Sequence, residues 1–118
     1  MSSLAEIRER IELRRRRLEE GLAVVLPQLA DLGAVKVLLF GSLASATVDS
    51  DSDLDLLVIM PNTRTGKDWA DTIYSEVDRR VETDFIVFNT DEYSLSLPHN
   101  SFLREISSSG RVVYERLG

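Results

Sequence analysis

The chain contains no cysteine. That excludes disulfides, thiolate metal sites and cysteine nucleophiles. Its single histidine, His99, follows Pro98 in a loop-like stretch. It has no ligand partner there and reads as solvated, and no Ser-His-Asp grouping supports hydrolysis through an acylated serine. No apolar run approaches the roughly 18 residues of a membrane-spanning helix. The N-terminus lacks the apolar stretch of a secretory signal. A cytoplasmic protein with no membrane partner is therefore expected. Positive charge is also short: 14 Lys and Arg against 20 Asp and Glu leave a net charge of −6. Strong binding to a nucleic-acid backbone is not expected, whereas recruitment of Mg²⁺ or of a basic partner suits this balance. What remains is ordinary globular composition, 43% apolar and 29% charged over 118 residues. That length predicts one domain spanning residues 1–118.

The stretch from Val35 to Met60 organises the chain. It holds two apolar runs, Val35–Phe40 and Leu54–Met60, each short, rich in branched residues and bounded by turn residues. Both read as buried strands. Between them stand Gly41-Ser42 and an acidic run, Asp49, Asp51, Asp53 and Asp55. A strand that ends in Gly-Ser makes a tight turn, with backbone N–H groups and a hydroxyl free to face an anion. Asp53 and Asp55 are two residues apart at the start of a strand, so both carboxylates point the same way. Close carboxylates repel each other unless a cation joins them. Mg²⁺ takes oxygen ligands, typically one or two carboxylates plus substrate phosphates. Gly41 and Ser42 are thus candidate phosphate-binding residues, and Asp53 and Asp55 candidate metal ligands. A calcium loop of EF-hand type is excluded. Counted from Asp49 or from Asp51, its required glycine falls on Leu54 or Leu56 and its glutamate on Met60 or Asn62.

A third apolar run, Val81–Phe88, places Glu82 and Asp84 on one strand face. An acidic residue amid apolar neighbours in mid-strand is costly unless paired or metal-bound. Asp84 is the stronger candidate, either as a metal ligand or in a salt bridge to Arg79 or Arg111. Near the end, Ser101-Phe-Leu-Arg-Glu-Ile reads as a helix and Gly110-Arg-Val-Val-Tyr114 as a closing edge strand.

Gly41-Ser42, then Asp53-Leu54-Asp55 running into a strand, then Asp84 on a later strand, together resemble the DNA polymerase β-like nucleotidyltransferase superfamily. The likeness covers about Val35 to Tyr114. In length the chain is similar to the minimal nucleotidyltransferases, the antitoxins paired with HEPN-type ribonuclease toxins. The resemblance implies catalytic and metal-binding roles for Asp53, Asp55 and Asp84. It implies Mg²⁺ and ATP as cofactor and substrate nucleotide, with AMP attached to a tyrosine of the partner toxin, which is thereby neutralised. There is one departure: where the family has Ala-Arg-Gly after Gly-Ser-x, this chain has Ala44-Ser45-Ala46. An antitoxin that acts by binding alone is the alternative. Modification of a small molecule or an RNA end is a further one, and 118 residues leave little room for the substrate domain it needs.

The remaining segments read as helices and loops. Leu4, Ile7, Ile11, Leu18, Leu22, Leu26 and Leu29 form one amphipathic stripe, with Ser2 or Ser3 as cap and Gly33 as stop. Pro27 is expected to kink this helix or to start a second one. Arg14–Arg17, interleaved with Glu12, Glu19 and Glu20, reads as a solvated face, with a basic patch as the alternative. Leu43–Thr47 is a short helical turn capped by Ser42. Arg64 and Lys67 lie in a loop within possible reach of a phosphate. Lys67–Arg80 is a helix with Trp69, Ile73 and Val77 on its apolar face, and Asn89 or Thr90 caps another running to Leu97. The expected fold is α/β or α+β: an N-terminal helical segment, 1–32, then a sheet and catalytic core, 33–118, with helices on one face of the sheet. The resemblance implies a mixed sheet of the polymerase β palm type. A hetero-complex with the partner is expected, with self-association through the first helix also open.

Overall fold

The computed structural model describes residues 3–117. In order come α1 (Leu4–Leu32), β1 (Lys36–Phe40), α2 (Gly41–Ser45), β2 (Leu54–Met60), α3 (Gly66–Glu76), β3 (Thr83–Asn89), α4 (Thr90–Ser96), α5 (Ser101–Ser109) and β4 (Arg111–Glu115). A 3₁₀ turn, Leu97–His99, joins α4 to α5.

Helix α1 begins with a reciprocal cap. The Ser3 hydroxyl accepts from the Glu6 N–H, and the Glu6 carboxylate accepts from the Ser3 N–H. Ser2, the other candidate cap, lies outside the described residues. The helix runs unbroken for 29 residues through Pro27, so no second helix starts there. Two features hold the turn together. Leu22, Val25 and Leu29 on either side of the proline are buried. The Gln28 amide donates to the Val24 carbonyl and to the Asp78 carbonyl, both at 2.9 Å, and its oxygen accepts from the Asp78 N–H. Gly33 ends the helix at φ +102°, the left-handed conformation that glycine adopts without strain.

The four strands form one sheet in the order β3-β2-β1-β4. β1 pairs antiparallel with β2 and β4, and β2 pairs parallel with β3. The expected mixed sheet is therefore present. A parallel pair needs a crossover, and α3 supplies it. Strand alternation splits β2 between two apolar clusters. Leu54, Leu56, Val58 and Met60 meet Leu18, Val25 and Leu29 of α1 and Trp69 and Ile73 of α3. Leu57 and Ile59 point the other way, toward Leu103 and Ile106 of α5. Helices thus cover both faces of the sheet, not one as expected. A central strand that is apolar on both sides demands this. Two boundaries also move. Helix α3 stops at Glu76 rather than Arg80, and β3 starts at Thr83 rather than Val81. Val77 is buried and Val81 packs on the same cluster, and the chain between them is exposed and bends at Arg80 and Val81.

All of α1's buried residues lie from Leu18 onward. Its first half therefore runs free of the sheet, for about 20 Å at 1.5 Å per residue. Since Gly33 leads directly into β1, α1 returns along the sheet and its first half overhangs the end where β1 finishes and β2 begins.

Candidate active site

That end of the sheet collects the acidic residues. In the parallel ladder Asp55 of β2 stands opposite Asp84 of β3, and paired residues share a face. Asp53 lies two residues before Asp55, just ahead of the strand. Burial, then the charge of Asp84, then that of Asp53, hold the Asp55 carboxyl above the ordinary carboxylate value. Asp84 thus lies with Asp53 and Asp55, on the same side of the sheet as Asp55. Glu82 precedes β3 and is exposed.

Gly41 stands against this group, because Phe40 of β1 is the register partner of Asp55. Its φ is +77°, and a Cβ at this position would collide with the Asp55 carboxylate. Only glycine meets both conditions. The α2 turn starts at Gly41, with Phe40 in the cap position and no side-chain cap, so Ser42 does not cap it as expected. Instead the Ser42 hydroxyl makes no hydrogen bond among the described residues. Gly41, Ser42, Ser45 and Thr47 border a cavity of about 300 Å³ whose far wall includes Glu105.

A carboxylate pair matched across a parallel ladder, joined by a third and set beside a glycine-serine turn, also has a counterpart among known families. The family profile described as "Polymerase beta, Nucleotidyltransferase" matches residues 30–117. The chain belongs to this family. Neither the curated proteins nor the solved structures contain a match. Nucleotidyl transfer, in general terms, is the chemistry of this nucleotidyltransferase fold, typically with a nucleoside triphosphate and a divalent metal.

The donor set of the nucleotidyltransferase suits a hard cation: carboxylate oxygens only, with Asp55 carrying unrelieved negative charge. Yet among the described residues no three His, Cys, Asp or Glu side chains converge where a metal ion could be held. Two of the three carboxylates are turned to protein partners instead. Asp53 Oδ1 lies 3.5 Å from Arg14 Nη2 of α1. Tyr74 of α3 places its hydroxyl 3.3 Å from Asp84 Oδ1 and 3.2 Å from the Phe85 carbonyl, and accepts from the Phe85 N–H at 2.8 Å. The Arg14 guanidinium already offsets the charge of Asp53, so a metal ion would have to displace it to use that carboxylate.

Both partners escape a reading of the sequence. Tyr74 reads as packing, and it does pack edge-on against Phe85, with ring centroids 5.2 Å apart. Its hydroxyl contact to Asp84 follows only from how α3 crosses β3. Arg14 reads as one of four solvated arginines, but its side chain is 21% exposed and its Nε donates to the Ser52 carbonyl at 2.7 Å. Neither Arg79 nor Arg111 pairs with Asp84; Arg79 lies over the Tyr74 ring instead. Arg64 and Lys67 follow the other end of β2, about 20 Å from Asp55 at strand rise. Arg64 stacks over Trp69 and bonds to Thr72. These two cations are therefore not part of the site.

Proposed function

We propose that the protein transfers a nucleoside monophosphate, AMP from ATP, to a hydroxyl group. In this reading the acceptor is a tyrosine of a HEPN-type ribonuclease toxin, which the modification neutralises. The observation that carries the transferase reading is the Asp55–Asp84 match across the parallel ladder, beside the positive-φ turn at Gly41.

Asp53, Asp55 and Asp84 would hold the divalent metal. Magnesium, when bound there, would neutralise charge growing on the attacking and leaving oxygens. The other roles belong to the chain. The Gly41 turn lets the backbone approach a phosphate closely, and the Ser42 hydroxyl is free to donate to it. Asp84 is placed to accept the acceptor's hydroxyl proton, and Tyr74 orients that carboxylate. The acceptor oxygen bonds to the α-phosphorus, whose bond to the bridging oxygen breaks, and pyrophosphate leaves with that electron pair. The overhanging half of α1 exposes Leu4 and Ile7, one turn apart on one face, as an apolar contact for the partner protein.

The test is incubation with Mg²⁺, labelled ATP and the protein that co-purifies from the native host. Label on that protein, lost in Asp55→Asn, is the expected result. Full labelling by both Asp53→Asn and Asp55→Asn would refute these roles. A second reading, an antitoxin that only binds, is favoured by one observation: the carboxylates are engaged by Arg14 and Tyr74 rather than converged. It predicts a stable complex with no label.

A further inference from the structure

The arginines of α1 divide by helix face. Arg15 pairs with Glu12 and Glu19, and Arg16 with Glu12. Arg10, Arg14 and Arg17 are spaced by four and three, so they share another face. With Leu13 and Ser50 they line a cavity of about 190 Å³ that has no carboxylate on its wall. Arg10 and Arg17 make no ion pair among the described residues. Arg14 is fixed by the Ser52 carbonyl and reaches Asp53, so this cavity adjoins the acidic group. The cavity at Gly41 and Ser42 has the opposite character: no Lys or Arg lines it, and Glu105 does. A triphosphate held there alone would meet no cationic side chain. Guanidinium is the side chain best matched to phosphate oxygens.

The geometry points to a phosphate subsite on α1, made by Arg10, Arg14, Arg17 and the Ser50 hydroxyl, that takes the polyphosphate end of the nucleotide. The two cavities then flank the carboxylates. The glycine-serine turn receives one part of the nucleotide, and the arginine face receives the departing pyrophosphate and its charge. This assignment rests on the nucleotidyl-transfer reading.

The probe is inorganic tripolyphosphate, titrated calorimetrically into the full chain in EDTA at low salt, with ATP in a parallel arm. Arg10→Gln/Arg17→Gln is expected to weaken tripolyphosphate and ATP alike by roughly tenfold, each exposed ion pair contributing up to about a factor of five. Its thermal melt should match the wild type, since both side chains are exposed. Asp55→Asn should retain tripolyphosphate binding. Mn²⁺ binding, read from the electron paramagnetic resonance signal of the free ion, is measured alongside in wild type and Asp55→Asn. Equal tripolyphosphate affinity in wild type and double variant, or none in either, overturns the subsite. If Asp55-dependent Mn²⁺ binding persists in that case, the transferase reading survives. If Asp55→Asn leaves Mn²⁺ binding unchanged, or there is none to lose, the transferase reading falls and takes the nucleotide assignment with it.

Discussion

Gly41→Ala tests the geometry of the site through stability. Two costs add. A non-glycine residue held at φ +77° loses about 1–2 kcal/mol to clash between its Cβ and the backbone. The new Cβ also stands 3.0 Å from Asp55 Cγ and 3.3 Å from its Cβ, closer than packing allows. Forcing such an overlap costs about 1–3 kcal/mol. The sum is roughly 2–5 kcal/mol. At about 4 °C per kcal/mol for a domain of this size, Tm should fall by roughly 8–20 °C. The same substitution in an Asp55→Ala background meets no carboxylate, only the retained Cβ at 3.3 Å, so most of the overlap is relieved and the backbone cost of about 1–2 kcal/mol dominates. Urea denaturation of all four proteins closes the cycle, and the coupling reports the Gly41–Asp55 contact. A loss below about 0.5 kcal/mol for Gly41→Ala, or an unchanged loss in the Asp55→Ala background, would refute the contact.

Other outcomes follow from the same contacts. In metal-free buffer, the raised Asp55 carboxyl keeps its proton in the folded state at a pH where the unfolded chain has lost it. Stability therefore falls as pH climbs from the unfolded carboxylate value through the folded one. Asp55→Asn should then raise Tm at pH 7 and change it little below about pH 4; a lower Tm at pH 7 would contradict this origin of the shift. Tyr74→Phe removes the acceptor of the Phe85 N–H and a donor to Asp84, and should cost about 1–2 kcal/mol in urea denaturation. No loss would mean that water replaces the hydroxyl. Leu18→Ala empties a fully buried position where α1 first meets the sheet, and should cost about 2–5 kcal/mol. Gly21→Ala gains helix propensity but sets its Cβ 2.7 Å from Val81 Cγ2, so it should destabilise unless Val81→Ala is also present.

Local chemistry made much of this protein legible before any coordinates. Apolar runs bounded by turn residues marked β1, β2 and β3. The spacing of leucines marked α1, because a stripe at three and four residues is a property of one helix alone. The same holds for Gly41, whose turn needs only its neighbours; Asp53, by contrast, lies ahead of β2 and turns to Arg14, which strand alternation does not foretell. Periodicity says nothing of which strands pair or in which direction. The parallel match of β2 with β3 is what sets Asp84 opposite Asp55, and it depends on α3 crossing over the sheet. The second apolar face, covered by α5, is likewise a consequence of assembly, since either face of a fully apolar strand can be buried first. Arg14 and Tyr74 are the clearest cases. Each has an ordinary setting in its own helix, and each gains its contact to a site carboxylate only when that helix packs against distant chain. Sequence determined which groups this protein carries and how each element presents them. Tertiary structure decided which of them meet, because meeting depends on register and crossing geometry between segments far apart in the chain.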